Sequence, residues 1–365
     1  GFTGSDGALM VGPDWLTLLV DGRYVTQARQ EAVGAEVFEF RIRAEGIESV
    51  ARRQKVGAID FESPVLTVDE YFRLQEKLSG VTLRPLSGEL QFLRAVKDDG
   101  EIGCIAEAAR IASEALAGVL AMVRPGVREK EIAVELEYRM QRTGAELVAF
   151  ETIVASGSNA ALPHATPGFR TIRAGDCVVI DYGAVSGGYH SDETCTYFVE
   201  RADPRQREVY QRVKEAHDRA IHAIRAGVSC GEIDRIARAC LDEAGLGDRF
   251  SHGTGHGVGL DVHEGPRLAR GREEILQAGM VVTVEPGVYL PGLWGVRIED
   301  IDPPREVAGA ACGQLRTLAA FGLHADGDPV FQSRRGHLYR DALNRLLARG
   351  QAFECHCSRA ELAAS

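Results

Sequence analysis

Two carboxylates in the middle of the chain stand where the sequence predicts an antiparallel hairpin. Asp181 ends the apolar segment 178–180, and Asp192 follows the glycine-containing turn 186–188. An aspartate at the end of an apolar strand costs free energy unless it is paired or bound to a cation. Because the two positions are symmetric about the turn, the pattern predicts that Asp181 lies opposite Asp192 on one side of the sheet.

A second pair of carboxylates repeats this arrangement a hundred residues later. Glu285 ends the apolar segment 281–284, and Glu299 lies at the same distance on the other side of Gly292. The spacing predicts that Glu285 and Glu299 are also cross-strand neighbours. A β-bulge in either hairpin would shift the register.

Facing carboxylates repel each other and raise each other's pKa, so two such pairs indicate a bound cation. The alternative, four carboxylates at solvated strand edges, conflicts with the apolar runs that precede Asp181 and Glu285. Between the hairpins, the segment 251–266 holds His252, His256 and His263 among five glycines. A site rich in oxygen ligands with one imidazole suits Mn, Co or Zn.

The composition narrows the class of protein. A formal net charge of −11 argues against nucleic acid as a partner, since phosphates need clusters of Lys and Arg. The sequence shows no apolar run of the roughly 18 residues that a membrane span requires, and no visible signal peptide. The eight cysteines mostly stand singly in apolar or helical stretches, which favours reduced cysteines in a cytoplasmic protein over a disulfide framework.

Elements that must position these side chains follow a repeated order. Helical spacing over 98–123 and 129–143 precedes the first hairpin, and helical spacing over 203–226 and 230–243 precedes the second. The sequence therefore predicts an α+β fold with an internal two-fold repeat. Residues 1–88 mix short strands and helices and end at the Pro85–Gly88 boundary, which predicts a smaller α/β domain. Since the chain starts at Gly1 inside a structured segment, we expect this domain to be truncated at its N-terminus.

These motifs resemble those of the pita-bread metallopeptidases, in particular the Xaa-Pro dipeptidase (prolidase) and aminopeptidase P branch, over about residues 1–300. The segments that carry the resemblance are 179–183, 191–194, 252–266, 283–287 and 296–300. The resemblance implies a partial N-terminal creatinase/prolidase-like domain over 1–88 and a pita-bread catalytic domain over 89–300. It also implies a cytoplasmic homodimer that acts on peptides.

Site residues follow from the same resemblance. It implies that two divalent ions, most readily Mn, are bound by Asp181, Asp192, His256, Glu285 and Glu299, with Asp192 and Glu299 bridging both ions. It further implies substrate or intermediate contacts for the histidines and a bracing role for an arginine, at positions His164, His252, His263 and Arg297.

Hydrolysis of a peptide bond, in this family usually the Xaa-Pro bond, is the activity that the resemblance implies. Two cations would hold a bridging hydroxide, and Glu285 would carry the proton to the leaving nitrogen. Metal-free creatinase-type hydrolases and non-enzymatic or impaired pita-bread proteins are the alternatives, but both lack the full ligand set. Methionine aminopeptidases share the ligands but lack a domain such as 1–88.

Beyond Asp300 the sequence changes character. The stretch from about 297 to 365 resembles glutamyl-Q tRNA(Asp) synthetase and other glutamyl-tRNA synthetase-like proteins, and Arg297–Asp300 fits both families. We therefore interpret 301–365 as a foreign tail, with a helix over 339–348 and half of a zinc site at Cys355 and Cys357. The hypothesis is a chimera joined at the shared motif, and a divergent accessory tail is the alternative.

Overall fold

The computed structural model describes residues 2–302, and the chain divides into two compact units between Leu93 and Arg94. The expected helix over 339–348 and the half zinc site at Cys355 and Cys357 lie outside the described residues. Within those residues, no helix combines the length and the apolar character that crossing a membrane requires.

The first unit alternates short strands with helices. Strands β1 and β2 are antiparallel, whereas the pairs β2–β3 and β4–β5 are parallel. The elements are β1 (Gly7–Val11), β2 (Leu16–Asp21), α1 (Val25–Glu31), β3 (Glu36–Phe40), α2 (Arg43–Arg53), β4 (Ala58–Glu62), α3 (Val68–Lys77) and β5 (Thr82–Leu86). Helix α4 (Glu89–Ala95) leads from this unit into the second.

The second unit opens with the first of two helix pairs. Helices α5 (Asp99–Val119) and α6 (Glu129–Thr143) precede the strands β6 (Leu147–Val148), β7 (Ile153–Ser156), β8 (Cys177–Tyr182), β9 (Ala184–Ser186), β10 (Tyr189–His190) and β11 (Glu193–Phe198). Strand β8 lies between β7 and β11, and β9 lies between β6 and β10, all antiparallel.

The same order then recurs, as the sequence predicted. Helices α7 (Pro204–Ala223) and α8 (Cys230–Glu243) precede β12 (Gly255–Gly257), β13 (Glu264–Leu268), β14 (Val282–Val284), β15 (Gly287–Leu290), β16 (Trp294–Arg297) and β17 (Asp300–Asp302). One sheet has the order β13-β12-β14-β17, and β15 pairs with β16.

Local sequence signals explain where the long helices begin. Asp98 caps α5, because its carboxylate accepts a hydrogen bond from the Glu101 N–H and the Glu101 carboxylate accepts one from the Asp98 N–H. Asp203 caps α7 in the same way, and Pro204 occupies the first turn, where its missing N–H costs nothing. Fixed helix starts set the depth at which each helix pair packs on its strands.

Each helix pair buries its own apolar cluster. In the first half, Leu116 of α5 and Leu136 of α6 pack with Ile180 of β8, all at most 1% exposed. In the second half, Ile233 of α8 packs with Val282 and Val284 of β14. Strands β8 and β14 are therefore held from behind by apolar contacts, immediately before Asp181 and Glu285.

Glu129, at the start of α6, is a fully buried carboxylate that ties down the loop after β7. One of its oxygens accepts hydrogen bonds from the N–H and the hydroxyl of Ser156, at 2.7 Å each. The other accepts from the Asn159 amide at 3.0 Å and from the Gly168 N–H at 3.2 Å. Together these bonds fix both ends of the loop 157–168, which contains His164.

We expect Glu129→Gln to lower the free energy of unfolding by about 3 kcal/mol, since the new amide N–H₂ faces backbone and side-chain donors in a buried place. Chemical denaturation measures the change. The control is Glu137→Gln on the partly exposed face of the same helix, which should change stability by less than about 0.5 kcal/mol. Equal effects of the two substitutions would contradict a clamping role for Glu129.

Candidate metal centre

The first hairpin brings Asp181 and Asp192 to one site, but the predicted direct pairing is wrong. Asp181 pairs with Thr194, and Asp192 lies between β10 and β11. The turn is centred on Gly187 and Gly188, both with positive φ (58° and 78°), as a two-residue turn of type I′ requires. A register shifted by two residues keeps both aspartates on the same face, so they are diagonal neighbours.

The second hairpin has the predicted register. Val284 pairs with Asp300 on one side, and Gly287 pairs with Arg297 on the other, so Glu285 and Glu299 occupy matching positions between these two ladders. Glu299 also bridges back to the first half, where its N–H donates to the carbonyl of Thr194 at 3.0 Å. Both carboxylates thereby reach the same centre as the two aspartates.

The ligand-bearing atoms of the five predicted residues lie close together. Two groups of residues each have potential metal-ligand atoms within 4.8 Å of one another. One group is Asp181, Asp192 and Glu299, and the other is His256, Glu285 and Glu299. A cavity of about 240 Å³ is lined by all five residues. The structure thus places all five residues around one cavity.

His256 faces this cluster with a lone pair. Its Nδ1–H donates to the Gly257 carbonyl at 3.0 Å, so Nε2 is left unprotonated. That Nε2 lies 3.3 Å from Glu285 Oε1 and 3.5 Å from Asp192 Oδ2. Burial lowers the pKa of His256 to about 4, which keeps the ring neutral. A lone pair that faces two carboxylates at these distances is the geometry of ligands around a cation.

Two carboxylate oxygens also point into the centre without a hydrogen-bond partner. Asp181 Oδ1 and Glu299 Oε1 are buried acceptors with no donor in reach. Such atoms lose their hydration on folding and are costly unless a donor or a cation satisfies them. The donor set, four carboxylates and a neutral imidazole, fits Mn, Co or Zn.

Electrostatics at the centre reflect the crowding of negative groups. Burial raises the pKa of Glu285 to about 7. Burial, followed by repulsion from neighbouring carboxylates, raises the pKa values of Asp192 and Glu299 well above their usual range. Arg297, 4% exposed, donates to Asp181 Oδ2 and to the hydroxyl of Thr194, and so braces one carboxylate.

The three other predicted histidines lie in different environments. His164 and His263 are exposed residues that line the cavity, and the ring of His263 lies 4.3 Å from that of His256. His252 is half-buried and does not line the cavity. Its Nε2 accepts a hydrogen bond from the Tyr289 hydroxyl at 2.9 Å, while its Nδ1–H donates to the Gly253 carbonyl.

Sequence reasoning missed several polar residues that support the site. Thr194 donates to Glu299 Oε2 at 2.7 Å, Thr283 donates to Glu285 Oε1, and Tyr289 holds His252. Arg267, an exposed cation, is the ladder partner of His256. The two threonines could have been found by parity, since each stands two residues from a predicted ligand on the same strand face.

Comparison with known proteins defines the family. Residues 103–301 match Metallopeptidase family M24, and residues 1–96 match the Creatinase/Prolidase N-terminal domain. The chain therefore belongs to metallopeptidase family M24, the class of enzyme that the sequence predicted. Residues 289–365 match the catalytic domain of class I tRNA synthetases (E and Q), which confirms the predicted resemblance of the tail.

Similar proteins include both kinds of Xaa-Pro peptidase. The Xaa-Pro dipeptidase of Pyrococcus furiosus is 38% identical over 294 residues, which is 80% of this chain and 83% of that protein. Among solved structures, an Xaa-Pro dipeptidase from Bacillus anthracis has a TM-score of 0.80 and 39% identity. The match covers 82% of this chain and 84% of the chain of that dipeptidase. An X-Pro aminopeptidase from Thermotoga maritima has a TM-score of 0.77 and 36% identity, covering 82% and 86%. These neighbours confirm the pita-bread fold.

The raised pKa of Glu285 predicts how the metal-free protein responds to pH. Its folded-state carboxyl, with a pKa of about 7 against 4.5 in a free chain, holds a proton more tightly than the unfolded chain does. The free energy of unfolding of the protein in chelator should therefore fall as pH rises from about 4.5 to 7. Thermal unfolding in chelator at several pH values measures this slope.

Glu285→Gln is the matched variant, since it removes the titrating group and keeps the shape of the side chain. We expect a shallower slope over the same pH range and a higher melting temperature near pH 7. Parallel pH profiles for the variant and the parent protein would contradict the assignment of the slope to Glu285.

Proposed function

We propose that this chain is a dinuclear metal-dependent peptidase, in which Asp181, Asp192, His256, Glu285 and Glu299 would hold the two divalent ions. The observation that carries the proposal is the cluster of acceptors around the lone pair of His256, with Asp181 Oδ1 and Glu299 Oε1 unsatisfied. A metal-free hydrolase or a non-enzymatic pita-bread protein would leave these groups without a counter-charge.

Bound divalent ions supply a water nucleophile of lowered pKa and polarise the scissile carbonyl. The remaining work falls to side chains of the chain itself. Arg297 holds Asp181 in place through its hydrogen bond to Oδ2, and Glu285 carries a proton to the leaving nitrogen. His263 and His164 are exposed at the cavity and can donate to the substrate, whereas His252 does not line the cavity and is hydrogen-bonded to Tyr289.

The substrate class that we propose is peptides with an Xaa-Pro bond. The support is the agreement of the similar proteins, which are named as Xaa-Pro dipeptidases or an X-Pro aminopeptidase. Mn is the preferred ion, with Co and Zn as alternatives, because of the oxygen-rich donor set. A homodimer in the cytoplasm completes the proposal, and the five described cysteines, none of which forms a disulfide bond, are consistent with that location.

Hydrolysis of an Xaa-Pro dipeptide and of an Xaa-Pro-Xaa peptide, with Mn or with chelator, tests the function. We expect Mn-dependent cleavage of at least one peptide and two bound ions per chain by elemental analysis. Asp192→Asn should lower activity at least about 100-fold, since loss of even an outer partner of a metal site costs up to that factor.

The control for this variant is Asp248→Asn at an exposed aspartate in the short 3-10 helix Gly247–Arg249, which should keep full activity and metal content. Cleavage of the dipeptide alone would define a dipeptidase, and cleavage of the longer peptide an aminopeptidase. Absence of cleavage of both peptides in the presence of Mn would refute the proposed activity.

We also propose three segments: 1–88 as the N-terminal domain, 89–300 as the catalytic domain and 301–365 as the foreign tail. The support is the overlap of two unrelated family matches over 289–301, around the Arg297–Asp300 motif that fits both. One continuous sequencing read of the source DNA across codons 290–310 should either contain the junction, as a recombination requires, or lack it, as an assembly artefact requires. An intact gene conserved in independent isolates would contradict an assembly artefact.

A further inference from the structure

Lys97 is a buried cation that the proposed mechanism does not use. Its side chain is 1% exposed, and its Nζ lies 2.5 Å from Glu264 Oε1, whose side chain is 5% exposed. A second N–H of Lys97 donates to the Ala95 carbonyl at 3.2 Å. A lysine is almost never fully buried unless it is paired, and Glu264 supplies the partner that the burial of Lys97 requires.

Glu264 stands where the loop 258–263 returns to the sheet. It is the first residue of β13 and the ladder partner of Gly257, which follows the candidate ligand His256. His263, at the cavity, immediately precedes it. The loop backbone passes directly over the Glu264 carboxylate, since a Cβ at Gly259 would lie 2.6 Å from Glu264 Oε1. The loop backbone therefore packs closely against the Glu264 carboxylate.

The other carboxylate oxygen of Glu264 is held as well. Arg94 donates to Glu264 Oε2 at 2.9 Å and to the exposed Asp261 at 2.8 Å. The start of the loop has a separate contact, in which the backbone N–H of His190 donates to the Gly259 carbonyl at 2.9 Å. Of these contacts, the pair between Lys97 and Glu264 is the one buried from solvent on both sides.

Lys97 itself is fixed by its backbone. Its N–H donates to the Gly279 carbonyl at 2.8 Å, and Val96 forms a β-bridge with Met280, just before β14 and Glu285. On its other side, the capped start of α5 follows at Asp98. The backbone of Lys97 thus contacts the segment that leads into β14 and Glu285, while its side chain reaches the loop that carries His263.

We infer that Lys97 is a positioning residue that fixes the loop 258–263, and His263 within it, at the cavity through its buried ion pair with Glu264. Its effect on catalysis rests on the proposed function, but its effect on the loop does not. A cation in this place acts through Glu264 and touches neither substrate nor metal. The loop should open locally when the pair is removed, while the ladder contacts of β12 keep His256 in place.

The test is hydrogen–deuterium exchange of the full chain carrying Lys97→Met together with Glu264→Gln. The double substitution leaves no unpaired buried charge, whereas either single change would leave one and favour unfolding. We expect exchange in 258–264 to rise about tenfold or more, with the segments around α6 and α7 unchanged. Lys97→Arg, which keeps the charge, should leave the loop close to its original exchange rate.

A matched control is Lys214→Met with Asp218→Asn, which removes an exposed ion pair of the same 2.5 Å length on α7. It should leave exchange in 258–264 unchanged. If the parent enzyme cleaves peptides, the Lys97/Glu264 double variant should keep its metal content and its KM within about threefold, while kcat falls about tenfold or more.

Three outcomes would overturn the inference. They are unchanged exchange in 258–264, a uniform increase over the described chain, and a double variant that does not fold, since the last two would make the pair a general stability element. If the parent protein shows no peptidase activity, the proposed function fails, but the exchange experiment still decides the role of Lys97.

Discussion

Burial of several acceptors around one point is the constraint on which this structure depends. Asp181, Asp192, Glu285 and Glu299 converge with the lone pair of His256 in a cavity from which most water is removed. Repulsion between such groups in a low dielectric is far stronger than in water. A fold that tolerates this repulsion must hold each side chain by packing of the backbone that carries it, because otherwise the carboxylates would move apart.

The internal repeat provides that fixation. Apolar clusters under β8 and β14 hold the strand positions just before Asp181 and Glu285. Close backbone approach does the same for His256, since a Cβ at the preceding Gly255 would overlap the carbonyl oxygen of Thr283. Rigid elements therefore position the cluster, and a divalent cation would neutralise its negative charge without rearrangement of the backbone.

Sequence patterns could predict which residues meet here, but not all of their partners. Parity along a strand fixes the face of a side chain, so Asp181 and Asp192 were assigned to the correct side even though the register was wrong by two residues. The register itself depends on where the chain turns, and two successive glycines at 187 and 188 moved that point by one residue. Contacts between the halves, such as Thr194 with Glu299 and Lys97 with Glu264, join residues 105 and 167 positions apart. Local periodicity contains no information about such pairs.

Glu299 lies close to residue 301, where the family match ends, yet several hydrogen bonds hold it at the candidate metal centre. Its N–H is bound by the carbonyl of Thr194, and its carboxylate is bound by the hydroxyl of the same residue at 2.7 Å. Arg297, two residues earlier, exchanges two hydrogen bonds with the hydroxyl of Thr196, one from its own N–H and one to its carbonyl. On the other side, Asp300 continues in register with Val284. The last candidate ligand is thus held by β11 and β14, which both precede it in the chain.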